Sequence, residues 1–397
     1  MADHLPERLF ARLEPLRRGP LRPGAFRSRL HDERAAALLG VTLGVAFTVC
    51  FVTGLVSHGI QRGPTGVQEL WRAGPVSLYR VTQGVHVLTG IVSIPLLLLK
   101  LWVVYPRLWS WPPFRDLTHL VERVSLVALV GGALFQLGTG LMNVFYWYAF
   151  PFNFPNAHYA GSYIAIGGLV THIGAKWHTT RRALRAADRV PAGDPPPAAG
   201  RGLTRRGLMV TAGAAAAGLL ATTIGSVSEP LSRLAILAPR RAGEGPQGVP
   251  VNRTATPETV AAGRSADYRL AVTGRVPRPF ELTLEELRAL PRVQASLPIA
   301  CVEGWSTDAD WSGVPVRDLL DRAGAAPDAV VRVVSLQRGG SAESRLFPGH
   351  ARHPDTLMAL ELNGEELHVD HGWPTRLIAP NRPGTQQTKW VARLEVL

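Results

Sequence analysis

The chain has 397 residues, enough for two domains, and its 46% hydrophobic and 18% charged residues are unevenly distributed. Apolar runs concentrate between residues 36 and 227, whereas the remainder of the C-terminal region has the composition of a soluble domain. The net charge of +13 does not indicate nucleic-acid binding, because the arginines lie at the ends of apolar runs and not on one soluble face.

Five apolar stretches each come close to the ~20 residues that a helix needs to cross a bilayer. They cover residues 36–57, 82–104, 122–145, 159–178 and 207–227. Aromatic residues continue from Phe145 to Phe154 after the third stretch, as in an interfacial belt. The sequence therefore predicts an all-α transmembrane bundle of four spans over residues 36–180, followed by a fifth, anchoring span over residues 207–227.

Arginines indicate the orientation of these spans. They crowd the basic tail of residues 1–35 and the linker of residues 181–206, whereas the loop between the third and fourth spans has neither Lys nor Arg. Because positive loops stay in the cytoplasm, the tail and the linker are predicted to be cytoplasmic. Five crossings then place residues 228–397 outside a multi-pass protein of the cytoplasmic (inner) membrane, with the lipid bilayer as a partner.

The fifth stretch is preceded by Thr204-Arg205-Arg206-Gly207-Leu208-Met209 and is rich in Ala and Gly. This segment resembles a twin-arginine signal, which exports domains that are already folded. The alternative is an ordinary span with flanking positive charge.

Histidines within the spans are candidate haem ligands, because ionisable residues in a membrane are costly. His158 and His172 are fourteen residues apart. On a helix the two residues would lie within about 40° of each other around the axis, on one face, and roughly 21 Å apart along the axis. A histidine near each leaflet allows a bundle to hold two haems, each completed by a histidine from another helix. His86 and His58 lie near the outer ends of the second and first spans, and His119 starts the third.

Residues 36–180 resemble the bis-histidine b-type cytochrome subunits of hydrogenases and formate dehydrogenases in span count, histidine placement and glycine content. The resemblance implies one or two haem b groups that exchange electrons with the quinone pool. An outer haem would use His86 with His158 or His58. An inner haem would use His172 with a partner that the sequence does not identify.

The C-terminal region mixes strands and helices without a repeating βαβ period, which predicts an α+β domain. Residues Tyr268–Val272 and Val330–Leu336 have the pattern of strands. Helices are predicted over Leu284–Leu290, behind a Thr-x-x-Glu cap at residues 283–286, and over Val316–Ala323.

Cys301 lies in this C-terminal region, whereas the other cysteine, Cys50, lies within the first span. The two cannot form a disulfide when one is in lipid and the other in water. An unpaired thiol in an oxidising setting requires an explanation, although a buried structural cysteine is the alternative.

Four motifs in the same order resemble the sulfite oxidase superfamily of molybdopterin enzymes, and its periplasmic methionine-sulfoxide-reductase branch most closely. The resemblance covers residues 250 to 397. Its motifs are Cys301-Val302-Glu303-Gly304-Trp305 with Trp311-Ser312-Gly313-Val314-Pro315, His353-Pro354-Asp355, Gly372-Trp373-Pro374-Thr375-Arg376, and Gly384 to Lys389-Trp390. A soft thiolate suits the redox-active metal of that family.

The resemblance implies roles for individual residues. Cys301 would ligate molybdenum, with Glu303 near the metal. Arg376 would be a catalytic residue or hold the anionic pterin phosphate, a task that Lys389 would share. Further cofactor contacts are implied for Asn252, His353, Asn381, Gly384 and Gln386.

The implied activity is transfer of an oxygen atom to or from a small extracytoplasmic substrate. The basic segment that follows the cysteine in sulfite oxidases is replaced here by Val302 to Trp305, which disfavours a sulfite site. Two alternatives remain at this stage: a sulfite-type dehydrogenase, and a non-catalytic haem electron conduit with an outer docking domain.

Overall fold

The computed structural model describes residues 30–71, 73–109, 117–185, 204–339 and 342–397, together with residues 19, 26 and 28. Most of the predicted basic tail and residues 186–203 of the predicted linker lie outside the described residues. The chain forms two compact units: unit 1 comprises Met1–Phe51 and Leu88–Leu220, and unit 2 comprises Val52–Val87 and Ala221–Leu397. Unit 2 therefore combines a short N-terminal stretch with the whole C-terminal region.

Each predicted span coincides with a helix, although the spans of residues 122–145 and 207–227 run one and four residues past the end of theirs. The helices of the first 223 residues are α1 (Glu33–Arg62), α2 (Thr65–Trp71), α3 (Leu78–Leu108), α4 (Leu117–Val144), α5 (Phe154–Arg185) and α6 (Arg205–Thr223). Among the described residues, four helices are long and apolar enough to cross a membrane: Glu33–Arg62, Leu78–Leu108, His119–Val144 and Arg205–Ser226.

The predicted span of residues 159–178 is the exception. It forms α5, a helix of 32 residues, but α5 is not among the four helices that are sufficiently apolar. The physical reason is the number of polar side chains that it carries, including His158, Thr171, His172 and Lys176. The prediction of a helix at this position is correct, whereas the prediction of an apolar span is not supported.

Helices α4 and α5 pack closely in unit 1, where small residues allow their backbones to approach each other. A Cβ atom added to Gly168 would lie 2.8 Å from the backbone nitrogen of Leu129. One added to Gly132 would lie 3.0 Å from the Cα atom of Ala165. Larger side chains at these positions would separate the two helices, as expected of small residues at helix interfaces in bundles.

The described part of residues 257–397 contains four short α-helices and twelve strands. The helices are α7 (Pro257–Arg264), α8 (Leu284–Ala289), α9 (Val316–Ala323) and α10 (Pro348–Ala351). The strands are β1 (Leu270–Gly274), β2 (Phe280–Leu282), β3 (Val293–Ser296), β4 (Ile299–Ala300), β5 (Ser306–Thr307), β6 (Asp310–Pro315), β7 (Val331–Ser335), β8 (Glu343–Leu346), β9 (Leu357–Leu362), β10 (Glu365–Glu366), β11 (Arg376–Ile378) and β12 (Val391–Val396).

The strands form two large sheets and one small one. The first has the order β2-β1-β12-β7-β8, in which β1 and β12 are parallel and the other pairs antiparallel. The second has the order β10-β9-β6-β3, with β11 also paired to β9, and is antiparallel throughout. Strands β4 and β5 form a short antiparallel pair directly before and after the Cys301 turn.

One hydrophobic core joins the two large sheets, since it contains Val272 of β1, Val314 of β6 and Met358 of β9. A second core contains Cys301, Trp305, Trp311 and Ile378 among other buried residues. The cysteine therefore lies in an apolar setting. The observed mixture of helices and mainly antiparallel sheets agrees with the predicted sulfite-oxidase-type fold.

The predicted local elements are confirmed with small shifts at their ends. The capping box of α8 forms as the Thr-x-x-Glu pattern predicts: the Glu286 backbone N–H donates to Thr283 Oγ1 at 3.1 Å. The Thr283 backbone N–H donates to Glu286 Oε2 at 2.8 Å. These reciprocal bonds satisfy N–H groups that the first helical turn leaves without partners.

Candidate active site

Cys301 begins a tight turn between strands β4 and β5. Its backbone N–H donates to the Trp305 carbonyl at 2.9 Å, and the Gly304 N–H donates to the Cys301 carbonyl at 3.1 Å. Gly304 has a φ of +90°, a conformation that a residue with a Cβ atom rarely adopts. The turn thus fixes the thiol in a position where only 8% of the residue is exposed.

Asn252 joins the side chains of this turn. Its Nδ2 group donates to the Cys301 sulfur at 3.1 Å and to Glu303 Oε2 at 2.6 Å. The Trp305 indole N–H donates to Asn252 Oδ1 at 3.1 Å and thereby orients the amide. Three residues that the sequence predicts to be near the metal or the cofactor, Cys301, Glu303 and Asn252, are therefore in direct contact.

Burial favours the protonated forms of both acids in this cluster. It raises the pKa of the Cys301 thiol well above its ordinary value, and the charge of Glu303 raises this pKa further. Burial also raises the pKa of the Glu303 carboxyl. A thiolate at this position therefore requires a compensating positive charge, which a metal ion supplies when it binds a cysteine.

Two predicted cations, Arg376 and Lys389, lie in electrostatic range of the Cys301 sulfur. Burial lowers the pKa of Arg376 to about 10 and that of Lys389 to about 7, whereas the negative charge of a Cys301 thiolate would oppose both shifts. Lys389 Nζ donates to the carbonyls of Arg253 and Asp370 at 2.9 and 2.6 Å. Because both cations are buried beside the thiol, an anion bound nearby would raise their pKa values and favour their charged forms.

Several buried polar atoms have no hydrogen-bond partner among the described residues. In unit 2 they are Tyr79 Oη, His350 Nε2, Thr356 Oγ1, Arg376 Nε, Arg382 Nε and Gln387 Oε1. A buried polar atom without a partner costs free energy, so several of them in one unit suggest a bound ligand that supplies partners. Guanidinium and imidazole nitrogens with an amide and hydroxyls suit a polar, anionic cofactor such as molybdopterin.

Among these residues, no individual role was predicted from the sequence for Tyr79, His350, Thr356 or Arg382, whereas Gln387 lies within the predicted Gly384–Lys389 motif. Arg382 is 5% exposed, and its Nη2 donates to the Arg345 carbonyl at 2.9 Å. Burial and the Arg382 charge lower the pKa of His350 to about 3, so this imidazole is neutral near pH 7. The one available signal was position, because Arg382 directly follows Asn381 and Gln387 directly follows Gln386 in the Gly384–Lys389 motif.

Gly384, a predicted cofactor residue, lies beside the cysteine. A Cβ atom added to Gly384 would lie 3.8 Å from the Cys301 sulfur and 3.4 Å from the Ala300 carbonyl oxygen. Pro383 forms a bridge with Ala300, which holds the loop alongside β4. The predicted cofactor loop and the predicted metal ligand are thus neighbours.

Other predicted cofactor residues make different contacts. Asn381 Oδ1 accepts a hydrogen bond from the Tyr79 backbone N–H at 2.8 Å, and Gln386 Nε2 donates to the Gln61 carbonyl. His353 Nδ1 accepts from the Asp355 N–H at 3.1 Å within its own turn. These three side chains therefore contact the N-terminal stretch of unit 2 or a local turn, and their cofactor contacts stay predictions.

The candidate haem ligands lie on three helices. In unit 2, the His86 ring of α3 faces α1, where a Cβ atom added to Gly54 would lie 3.0 Å from ring atoms of His86. His58 lies on α1 in the same unit.

His158 and His172 both lie on the uninterrupted helix α5 of unit 1, which confirms the predicted helix that carries both. His158 Nδ1 contacts Thr139 Oγ1 at 2.8 Å, and the buried His172 Nδ1 has no hydrogen-bond partner among the described residues. The pairing of these histidines around iron stays a prediction.

Comparison with known proteins identifies the C-terminal region. Residues 255–397 match the family model described as "Oxidoreductase molybdopterin binding domain". The chain is 35% identical over 132 residues to the putative protein-methionine-sulfoxide reductase subunit YedZ1 of Azospira oryzae, covering 33% of this chain and 50% of the relative. It is 31% identical over 146 residues to the protein-methionine-sulfoxide reductase catalytic subunit MsrP of Gluconobacter oxydans, covering 33% and 47%.

A sulfite oxidase of Arabidopsis thaliana is 26% identical over 164 residues, covering 33% of this chain and 42% of the relative. The chain thus spans half or less of the length of these three relatives. The matches confirm an oxidoreductase domain of the molybdopterin-binding, sulfite oxidase type, as the sequence motifs predict.

Proposed function

We propose that the protein is a membrane-bound molybdopterin oxidoreductase that carries its own haem cytochrome. The observation that carries this proposal is the buried Cys301 thiol, which lies beside buried cations and unpartnered polar atoms in a domain of the molybdopterin-binding family. The substrate would be a small molecule outside the membrane, and haem b would exchange electrons between the molybdenum site and the quinone pool.

The residues of the site fit the cofactor. Cys301 would supply the thiolate ligand, and Arg376, Arg382 and Lys389 would neutralise the pterin phosphate. Molybdenum bound in this way supplies oxygen-atom transfer coupled to two electrons. A soft thiolate and a dry, cationic surrounding suit a high-valent metal with an anionic cofactor.

The protein's own residues would manage protons during turnover. Reduction of an oxide substrate consumes two electrons and two protons and releases the deoxygenated product and water. Glu303, whose pKa is raised by burial, would carry one of these protons next to Cys301. Asn252 would keep the Glu303 carboxyl and the sulfur at a fixed separation.

The membrane arrangement forms part of the proposal. Four apolar helices support a multi-pass protein, and the arginine-rich tail and linker support residues 228–397 lying outside the cell membrane if α5 is a fifth crossing. Helix α5, although less apolar, would pack within the bundle and present His158 and His172 to one or two haems. His86, with His158 or His58, would bind the haem nearer the outer side.

The direction of the reaction is proposed to be reduction of an oxide, in line with the names of two relatives. The Val302–Trp305 segment lacks the cations that collect a sulfite dianion. Oxidation of sulfite is the second candidate, which the similarity to a sulfite oxidase favours. Assays with methionine sulfoxide plus a reduced dye, and with sulfite plus an oxidised dye, separate the two directions.

The central experiment is metal analysis with an absorption spectrum on detergent-purified protein from a host that makes molybdopterin. Wild type, Cys301→Ser and Cys50→Ser would be compared, because Cys50 is the other cysteine and lies on α1. We expect stoichiometric molybdenum and b-type haem bands in wild type and Cys50→Ser. Cys301→Ser should keep the haem and lose the molybdenum.

The outcomes separate the parts of the proposal. Haem without molybdenum in wild type would overturn oxygen-atom transfer and leave an electron-transfer cytochrome with an outer docking domain. Molybdenum without haem would overturn the fused electron path. The ratio of haem to molybdenum decides between one haem and two.

A further inference from the structure

Tyr79, at the start of helix α3, lies against the Cys301 site although it is remote from that site in the sequence. We propose that Tyr79 is a residue of the catalytic centre, and that its hydroxyl donates a hydrogen bond to an oxygen atom of the group bound at Cys301. The proposal rests on the proposed function and adds a residue from outside the matched range of residues 255–397. It gives the N-terminal stretch of unit 2, Val52–Val87, a part in the chemistry.

The backbone and ring of Tyr79 are firmly held. The Tyr79 N–H donates to Asn381 Oδ1 at 2.8 Å. The ring packs in a small apolar cluster with Ile60 of α1 and Ala300, the residue directly before Cys301. Tyr79 is 1% exposed, so its position is set by the domain and not by solvent.

The hydroxyl of Tyr79 has no hydrogen-bond partner among the described residues, although it is buried. Buried tyrosine hydroxyls ordinarily have a partner, because an unsatisfied hydroxyl costs free energy. Tyr268, another buried tyrosine of unit 2, follows this rule and donates to the Val391 carbonyl at 2.7 Å. The charges of Cys301 and Glu303 act on the Tyr79 hydroxyl, which therefore lies in electrostatic range of the thiol.

One face of α3 contacts the Cys301 turn, and Tyr79 lies on that face. Residues 79, 83 and 87 are spaced four apart, so they share one side of the helix. Gln83 Nε2 donates to the Val302 carbonyl at 3.0 Å. The Val87 side chain packs directly against Gly304, since a Cβ atom added to Gly304 would lie 2.8 Å from the Val87 methyl groups.

An ion pair between Arg80 and Asp308 adds a further contact between α3 and the residues after the turn. These contacts fix the first turns of α3 relative to Cys301. A hydroxyl that is rigidly placed before the ligand arrives needs no reorganisation to donate a hydrogen bond. Such a donor suits the oxygen of a neutral oxide, on which negative charge develops as the oxygen leaves.

The test compares Tyr79→Phe with Tyr268→Phe, a matched removal of one buried hydroxyl. Molybdenum content, the electron paramagnetic resonance signal of partly reduced protein, thermal stability, kcat and KM would be measured on detergent-purified full chain. In Tyr79→Phe we expect unchanged thermal stability, an altered resonance signal and kcat/KM lower by about 10- to 100-fold per molybdenum. Tyr268→Phe should lose thermal stability and keep the wild-type signal and kcat/KM per molybdenum.

Gln83→Leu provides a second test, because it removes the bond to the Val302 carbonyl without touching the hydroxyl. It should give a smaller change in the same signal. A folded Tyr79→Phe protein that loses its molybdenum would also support the proposal, since the hydroxyl has no protein partner to lose.

Wild-type kinetics and signal in Tyr79→Phe would overturn the role of Tyr79. If Cys301→Ser is inactive in the same assay, the proposed function stands despite that result. A Tyr79→Phe protein that fails to fold would also overturn the role, because it would make the hydroxyl structural. Absence of molybdenum from wild type would overturn both proposals.

Discussion

The Asn252 side-chain amide lies 3.1 Å from the sulfur of Cys301, and the same nitrogen donates to Glu303 at 2.6 Å. A donor directed at sulfur favours the thiolate and so opposes the effect of burial on the thiol. One amide group therefore influences both acids of the turn. This relationship gives Asn252 a larger part than the cofactor contact that the resemblance implies.

Replacement of Asn252 should reduce metal loading. Asn252→Leu removes the donor, so the Cys301 pKa rises further and less molybdenum is retained. Asn252→Asp also adds a negative charge beside Glu303 and should retain still less. Metal analysis of the purified variants checks the order, and equal loading of both variants with wild type would contradict it.

Lys389 should make the stability of cofactor-free protein depend on pH. Its pKa of about 7 lies below the ordinary lysine value of about 10.4, so the unfolded chain binds more protons between these pH values. Folding stability therefore rises as the pH rises through this window. Lys389→Met should be more stable than wild type at pH 6, and the difference should shrink by pH 10.

Melting temperatures across that pH range test the Lys389 prediction on protein from a host that lacks molybdopterin. Lys389→Arg is the control, because it keeps a buried charge and should not gain stability at pH 6. A constant difference between Lys389→Met and wild type at every pH would contradict the prediction.

His371 should contribute to acid sensitivity. Burial and the Arg376 charge lower its pKa to about 4, below the ordinary value of about 6.5. The unfolded chain then binds more protons between these values, so stability is lost as the pH falls from about 6.5 to 4. His371→Gln should flatten this loss, whereas the same change at the exposed neighbour His368 should not. Thermal denaturation between pH 4 and 8 measures the slopes.

Gly168 should be essential for the packing of α4 and α5. A methyl group there would lie 2.8 Å from the Leu129 backbone nitrogen, whereas one at Gly167 would meet no atom within 4 Å. Gly168→Ala should destabilise the helical region by about 1–3 kcal/mol, the usual cost of overpacking. Gly167→Ala, one position away, should be neutral. Thermal stability in detergent distinguishes them, and equal melting temperatures would exclude tight packing at Gly168.

Arg382 should be required for cofactor retention. Its Nε atom is buried and unpartnered in the described part of the chain, so a bound anion is its expected partner. Arg382→Met should lower molybdenum and pterin content. Arg332→Met is the control, because Arg332 pairs with Glu395 on the half-exposed surface of the first sheet, where ion pairs contribute little. Similar losses in both variants would argue against a phosphate site at Arg382.

Local signals predicted much of the fold. The Thr283-x-x-Glu286 pattern encodes its capping box within four residues, and the apolar stretches encode long helices through composition alone. Pairing of β1 with β12 could not be predicted, because the partners are far apart in the chain and hydrophobic alternation does not specify a partner. Helix α5 shows a mixed outcome: a helix at this position was predictable, but its polar side chains make it less apolar than predicted, and it is longer than the predicted span of residues 159–178.

The candidate site was predictable for those residues that belong to a sequence motif and also lie close to one another in the fold. Cys301, Glu303 and Gly384 belong to sequence motifs and lie together. Arg382 and His350 escaped prediction because burial, which gives them their significance, arises only from tertiary packing. Tyr79 had no signal at all, since a tyrosine near the end of an apolar stretch is ordinary at a membrane interface.

The unit that carries Cys301 is made from two stretches of chain, Val52–Val87 and Ala221–Leu397. If Arg205 and Arg206 direct export of an already folded domain, that domain would leave the cytoplasm with Ala300 and Asn381 still lacking their contacts with Tyr79. Loading of the metal and closure of the site would then be separate events on opposite sides of the membrane. Maturation would finish only when Val52–Val87, the stretch that contains Tyr79, packs against a centre that already holds its cofactor.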